Sequence, residues 1–171
     1  MPTEGDGGQA RSKAGAIGTL VAVASVAVAL LAFLLPDDPL GPRPSSAKER
    51  APYIAQVEAL CRQTQRELAN LGEPDPTDAT AYGEAFRYGA QHLNSLLSAW
   101  ARTPFPDGDE AVIRSILDKL EQRVFEADGA GRSLLVGDAD AANQRINEYR
   151  ETTRLYREES RAYGFETCPH T

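Results

Sequence analysis

The residues of this chain whose types and spacing could do chemistry are few: two cysteines, two histidines, a scatter of carboxylates and one stripe of arginines. Cys61 and Cys168 are the only thiols. They stand far apart, so they cannot form the CxxC pair of a redox enzyme, and a structural disulfide is the use that fits them. His92 and His170 have no ligand partner at metal spacing, and no HExxH motif occurs, so no metal site is expected. His92 reads as an ordinary surface or boundary residue. Glu121, Glu126, Asp128, Asp138 and Asp140 cluster in sequence, and paired carboxylates can hydrolyse glycosidic bonds when buried in a cleft. Near helix ends and on outer faces such groups are normally solvated, which makes a hydrolase the remote reading. The run DGDE at 107–110 lacks the rest of a calcium loop and reads as helix capping. No GxSxG, phosphate-binding glycine loop or redox motif is present. A non-catalytic protein without cofactor is therefore expected.

Arg150, Arg154, Arg157 and Arg161 recur at helical spacing, flanked by Glu148, Glu151, Glu158 and Glu159. The plain interpretation is a solvated face laced with i,i+4 ion pairs. The sharper one is a docking edge for an acidic partner.

The compartment in which two thiols would oxidise is set by the N-terminal third. Ala14 to Leu35 is 22 residues without a charge. As a helix it would span about 33 Å, against a hydrocarbon core of roughly 30 Å. It is longer than the apolar core of a cleaved signal peptide, and no small-x-small site follows closely. No cysteine ends the run, which argues against a lipoprotein. Arg11 and Lys13 precede it and Asp37 and Asp38 follow, so a single-pass signal-anchor is expected with its N-terminus cytoplasmic and the remainder outside. Residues 1–13 then form a short disordered cytoplasmic tail and 14–35 the transmembrane helix. Residues 36–45, with prolines at 36, 39, 42 and 44, form a semi-rigid extended stalk. The net charge is −7, and the first 36 residues contribute none of it because Glu4 and Asp6 cancel Arg11 and Lys13. An acidic domain without a basic block is not expected to bind nucleic acid or anionic lipid head groups.

Residues 46–171 are expected to form the extracytoplasmic domain, and 46–163 of them resolve into four segments of helical period. The first has its seam at Ile54, Val57, Cys61, Thr64, Leu68 and Leu71, with Ser46 and Glu49 as a capping box. The second starts at Thr77 or Asp78, with a seam of Tyr82, Phe86, Gly89, Leu93, Leu96 and Trp100. The third starts at Asp107 or Asp109 and runs through Ile113, Leu117, Leu120, Val124, Ala127, Gly131 and Leu134. Either a kink near Gly129 or a close helix approach at Gly131 is expected there. Gly137-Asp138 marks the next boundary. The fourth seam is Ala142, Ile146, Tyr149, Thr153, Tyr156, Ser160 and Tyr163, oddly wet, so its hydroxyls need partners if buried. Four helices of about 24 to 29 residues with short loops pack most simply as an antiparallel up-down-up-down bundle. The end of the fourth then returns to the first, and residues 165–168 can fold over it to bring Cys168 to Cys61. The rival is an inert Cys61, with Cys168 bridging to another chain.

The stretches EALCRQTQREL, LLVGDADAA and AYGFETCP together resemble uncharacterised exported or membrane-anchored four-helix proteins of high-GC Gram-positive bacteria. That resemblance implies the fold and the disulfide, and no activity. The functional expectation is a membrane-tethered binding or accessory subunit that presents its bundle to another envelope protein or membrane complex. The alternative is a bundle holding a small ligand between its helices, lined by Tyr82, Trp100, Tyr149 and Tyr156.

Overall fold

Ser46 opens the first helix with the reciprocal pair expected of it. Its backbone N–H donates to Glu49 Oε2 at 2.7 Å, and the Glu49 N–H donates to Ser46 Oγ at 3.4 Å. These two bonds occupy donors that a helix start otherwise leaves unpaired. The computed structural model describes residues 44–75 and 77–171. The expected cytoplasmic tail, the transmembrane segment and all of the stalk except Pro44 and Ser45 lie outside the described residues. Among the described residues no helix is long and apolar enough to cross a membrane, and there is no strand.

Four helices follow one another: α1 (Ala47–Ala69), α2 (Ala79–Trp100), α3 (Glu110–Leu135) and α4 (Ala139–Tyr163), with a short 3-10 turn at Cys168–His170. They are slightly shorter than expected, at 22 to 26 residues. The loops at 70–78 and 101–109 take the difference, because Pro74, Pro76, Pro104 and Pro106 cannot continue a helix. Asp78 and Asp138 cap α2 and α4 with their side chains. Gly137 and Gly164 end α3 and α4 at positive φ, each in a Schellman arrangement that only glycine adopts without strain.

Neighbouring helices are antiparallel. Tyr53 meets Trp100 at one end of the α1–α2 pair and Glu67 meets His92 towards the other. Along α3 and α4, Ser115 bonds to Glu159 and Glu126 to Arg145. Val57, Leu93, Leu96, Trp100, Ile113, Ile116, Leu120 and Tyr156 form the core between them.

Leu93, Leu96 and Trp100 of the expected α2 seam are buried, but the first half of the helix departs from it. Gly83 and Ala90 are buried, while Tyr82, Phe86 and Gly89 are not. The reason is a close approach of α2 to α3. A Cβ on Gly131 would stand 2.7 Å from the Gly83 carbonyl oxygen, and one on Gly83 would stand 3.0 Å from that of Gly131. Two glycines facing each other let the backbones touch, and this sets which face of α2 points inward. The approach at Gly131 is thus the outcome of the two expected there, and α3 runs unbroken through Gly129. Leu71, placed on the first seam, lies past the end of α1 and is exposed.

No Cα of α1 comes within 8 Å of a Cα of α4. The tail after Gly164 folds back along α1 as expected, but it does so between α1 and α4, where Phe165, Cys168, Pro169 and Thr171 are buried.

Candidate functional site

The Schellman turn at Gly164 reverses the chain and sends it back along the bundle. Phe165 then drops among the rings of Tyr53, Trp100 and Tyr163, with centroids 5.1 to 6.3 Å away. Three residues on, Cys168 is bonded to Cys61 across a Cα–Cα distance of 5.1 Å, both sulfurs fully buried. The disulfide is intramolecular, and there is no free cysteine.

Side chains from three helices grip the tail backbone. From α1, Glu58 accepts the N–H groups of Glu166 at 2.7 Å and Thr167 at 2.8 Å, and Gln65 donates to the Thr167 carbonyl at 3.2 Å. From α4, Arg157 Nε donates to the Pro169 carbonyl at 2.9 Å. From α3, Arg123 Nη2 donates to the Thr171 carbonyl at 2.7 Å. Burial works against the charged form of Glu58, but the bonds from Thr167 and Glu166 outweigh it and hold the carboxyl below its ordinary value.

Arg123 is 1% exposed and pairs with no Asp or Glu side chain among the described residues. It also donates to Thr153 Oγ1 and Tyr149 Oη, and its guanidinium lies over the rings of Tyr149 and Tyr156. This is where part of the wet fourth seam finds its partners. Tyr163 finds its own in Asp109. Arg123 Nη1, Tyr156 Oη and Ser160 Oγ are buried without a protein partner among the described residues.

The tail fills only the lower half of the space between α1 and α4, from Phe165 beside Tyr53 to Thr171 beside Arg123. Beyond it the space is an open cleft of about 290 Å³. Its lining comes from all four helices: Leu68 from α1, Tyr82, Phe86 and Leu93 from α2, Ala127 from α3 and Tyr149 from α4. Tyr149 is shared, since its hydroxyl accepts from the same guanidinium nitrogen that holds Thr171. The cleft lies about 30 Å along α1 from Ser46, at the end of the bundle away from where the chain comes in.

The four residues named as a ligand lining are not brought together. Tyr82 and Tyr149 line the cleft, with Phe86 between them at centroid distances of 5.2 and 6.0 Å. Trp100 is fully buried at the far end of α2, bonded to Tyr53, and Tyr156 is fully buried over Arg123. Phe86, Leu68 and Arg123 were not named from the sequence as site residues.

The arginine stripe divides. Arg154 is held between Glu151 and Glu158, the solvated ladder of the plainer interpretation. Arg157 is on the tail. Arg150 and Arg161 are exposed and have no ion-pair partner among the described residues.

The acidic residues are dispersed. Glu126 pairs with Arg145, Asp128 with Arg87 and Arg132, and Asp138 is a helix cap. No group of three or more potential metal ligands occurs among the described residues. In DGDE, Asp109 stands at the start of α3 but does not cap it with its side chain. Its buried carboxylate instead accepts from Ser45, from Arg50 at 2.8 Å and from Tyr163 at 2.9 Å, tying the beginning of the domain to the starts of α1 and α3 and the end of α4. His92 is half-buried, 3.0 Å from Glu67.

The chain matches no protein-family model, no curated protein and no solved structure.

Proposed function

We propose that this chain is a non-catalytic, single-pass membrane protein whose helical bundle stands outside the cytoplasm on a short stalk and binds another protein of the envelope or of a membrane complex. The observation that carries the binding role is the cleft above the tail: apolar, aromatic, open at the surface and lined from all four helices. Isolated apolar residues on a surface need no explanation, but a concave apolar site does. The extracytoplasmic location is supported by two independent features. Arg11 and Lys13 flank the apolar segment on its N-terminal side. The Cys61–Cys168 bond belongs to an oxidising compartment.

A second reading, a small apolar ligand in the same cleft, is favoured by Tyr82 and Tyr149 lining it. Against that, about 290 Å³ falls just below the usual range for ligand sites, roughly 300–1,000 Å³.

Co-purification from native membranes in mild detergent, followed by mass spectrometry, tests the leading reading. One envelope complex recovered specifically, and lost when Gly89 on the cleft wall is changed to Leu, supports it. Repeated recovery of the bundle alone overturns it. Protease added to intact cells tests the location: residues after Leu35 are digested if they face outward and spared if they do not.

A further inference from the structure

We propose that the open half of the channel between α1 and α4 takes an extended peptide segment of the partner protein, one large apolar side chain seated in the cleft and the adjoining backbone or an acidic side chain held by Arg150. This deepens the binding role proposed above and rests on it.

The channel between α1 and α4 already contains one peptide segment. Its lower half holds an irregular peptide, this chain's own tail, and holds it in a particular way. A large ring, Phe165, is buried among apolar side chains. Backbone carbonyls of the segment are taken by polar side chains on the channel walls, among them Arg157 at Pro169. The upper half continues the same channel. Leu68 of α1 and Tyr149 of α4, helices nowhere within 8 Å of each other at Cα, stand on its lining, and α2 supplies most of the rest. The boundary between the halves is one guanidinium that bonds to Thr171 on one side and to cleft-lining Tyr149 on the other.

Both components of the tail's grip recur above. Leu68, Tyr82, Phe86, Leu93 and Tyr149 provide an apolar seat where Tyr53, Trp100 and Tyr163 provide one below. Arg150 stands seven residues before Arg157, and seven residues turn an α-helix by close to two full turns. It therefore lies on the same edge of α4 as Arg157, about 10 Å further along, beside the open half rather than the filled one. Arg157 is satisfied by the tail, whereas Arg150 is exposed and has no ion-pair partner among the described residues. The size agrees too. A cleft of about 290 Å³ accommodates one large side chain with room at its mouth for backbone, and does not accommodate a helix, whose diameter with side chains is about 10 Å.

The test uses the full chain in detergent micelles and a defined probe, acetyl-Gly-Phe-Glu-Thr-amide, whose sequence is that of residues 164–167. It carries one ring for the cleft and one carboxylate for Arg150. Ring resonances of Tyr82, Phe86 and Tyr149 are followed by NMR during titration. Saturable shifts at these rings are expected, with a dissociation constant on the order of 1 mM for so small a ligand. Changing the peptide's Phe to Ala should weaken binding at least about tenfold, the value of one buried large apolar side chain. Arg150→Gln should weaken it about fivefold, while Arg154→Gln, whose arginine is occupied by Glu151 and Glu158, should leave it within about twofold. Gly89→Leu, which puts a side chain into the cleft beside Leu68, should abolish it.

No ring shifts at about 10 mM peptide would overturn the proposal, because that concentration is well above the constant expected. Peptide binding that Arg150→Gln leaves unchanged overturns the part given to Arg150. Shifts produced by indole or toluene but not by the peptide overturn it in favour of a small ligand. Shifts that instead follow protein concentration overturn it in favour of a second copy of the chain. If a co-purified partner is lost on Gly89→Leu while the peptide gives no ring shifts, this proposal falls while the binding role stands.

Discussion

Trp100 donates its indole N–H to the hydroxyl oxygen of Tyr53 across 2.6 Å, in a place where Trp100 is fully buried and Tyr53 is 5% exposed. It joins α1 to α2 at the end where the tail turns inward, and Phe165 packs edge-on against the same indole. Burial pushes the Tyr53 hydroxyl up to about 12, so it stays protonated across the working range of pH.

Removing that acceptor leaves a buried donor without a partner. Tyr53→Phe should destabilise the domain by about 1–3 kcal/mol. Trp100 is the only tryptophan, so its fluorescence during urea unfolding reads the loss directly as a lower midpoint.

Two glycines of α3 should respond in opposite directions to the same substitution. Gly131→Ala puts a Cβ 2.7 Å from the Gly83 carbonyl oxygen and should cost about 1–3 kcal/mol as α2 and α3 are forced apart. At Gly129 the nearest atoms belong to the flexible Arg145 side chain at 3.4 Å, so Gly129→Ala should stabilise by up to about 1 kcal/mol through helix propensity. Thermal unfolding of the two variants beside the parent is the measurement.

Acid should loosen the domain through Glu58 and Asp109. Burial opposes the charged form of each, yet hydrogen bonds from Thr167 and Glu166 to Glu58, and from Ser45, Arg50 and Tyr163 to Asp109, hold both below their ordinary values. A carboxyl lowered in the folded state contributes stability that is present above its unfolded value, about 4, and lost as pH falls through the folded one. Urea midpoints should therefore be level from neutral pH to about 5 and drop below about 4. Asp109→Asn should lower the midpoint at pH 7 and flatten part of the acid slope.

Loss of the disulfide should be costly but not fatal to the helices. The double variant Cys61→Ser, Cys168→Ser should lose about 2–5 kcal/mol. Hydrogen exchange should quicken first at residues 165–171, since only the packing of Phe165 and the bonds from Glu58, Gln65, Arg157 and Arg123 would then hold the tail. Urea unfolding with and without reductant on the parent chain should reproduce the same difference.

Much of the fold was legible because its boundaries are chemical. Ser46 with Glu49, Asp78, Asp138 and Gly137 each mark a helix end through a group that caps or a backbone that only glycine adopts. The pairing of Cys61 with Cys168 was legible from the return of the last helix to the first. The phase of α2 was legible over Leu93, Leu96 and Trp100 but not in its first half. Tyr82 and Phe86 look more apolar than Gly83 and Ala90, yet contact between glycine backbones, not side-chain hydrophobicity, chose the inward face. The tail's position was hidden for another reason: an irregular segment has no period to read. Arg123 was hidden by its charge, which reads as surface. Its signal lay on the opposite helix, where three tyrosines, Thr153 and Ser160 called for a donor. The cleft follows from the tail, because α1 and α4 are held apart along their whole length and the tail fills only part of the gap.

The bond between residues 61 and 168 closes a covalent ring that takes in α1 only from Cys61 onward, all of α2, α3 and α4, and the loops between them. For a module pulled from its N-terminal side, that ring sets a limit on how far it can be drawn out. Tension arriving at Ser46 can unwind the start of α1 only as far as Cys61. Those roughly 15 residues lengthen from about 1.5 to about 3.4 Å each, a yield of about 30 Å. Beyond that the load passes into the sulfur linkage, and the parts that face the cleft are not stretched. The first turns of α1 would act as a short mechanical fuse, which a single-molecule pulling trace would record as one small extension step, growing longer only once reductant is added.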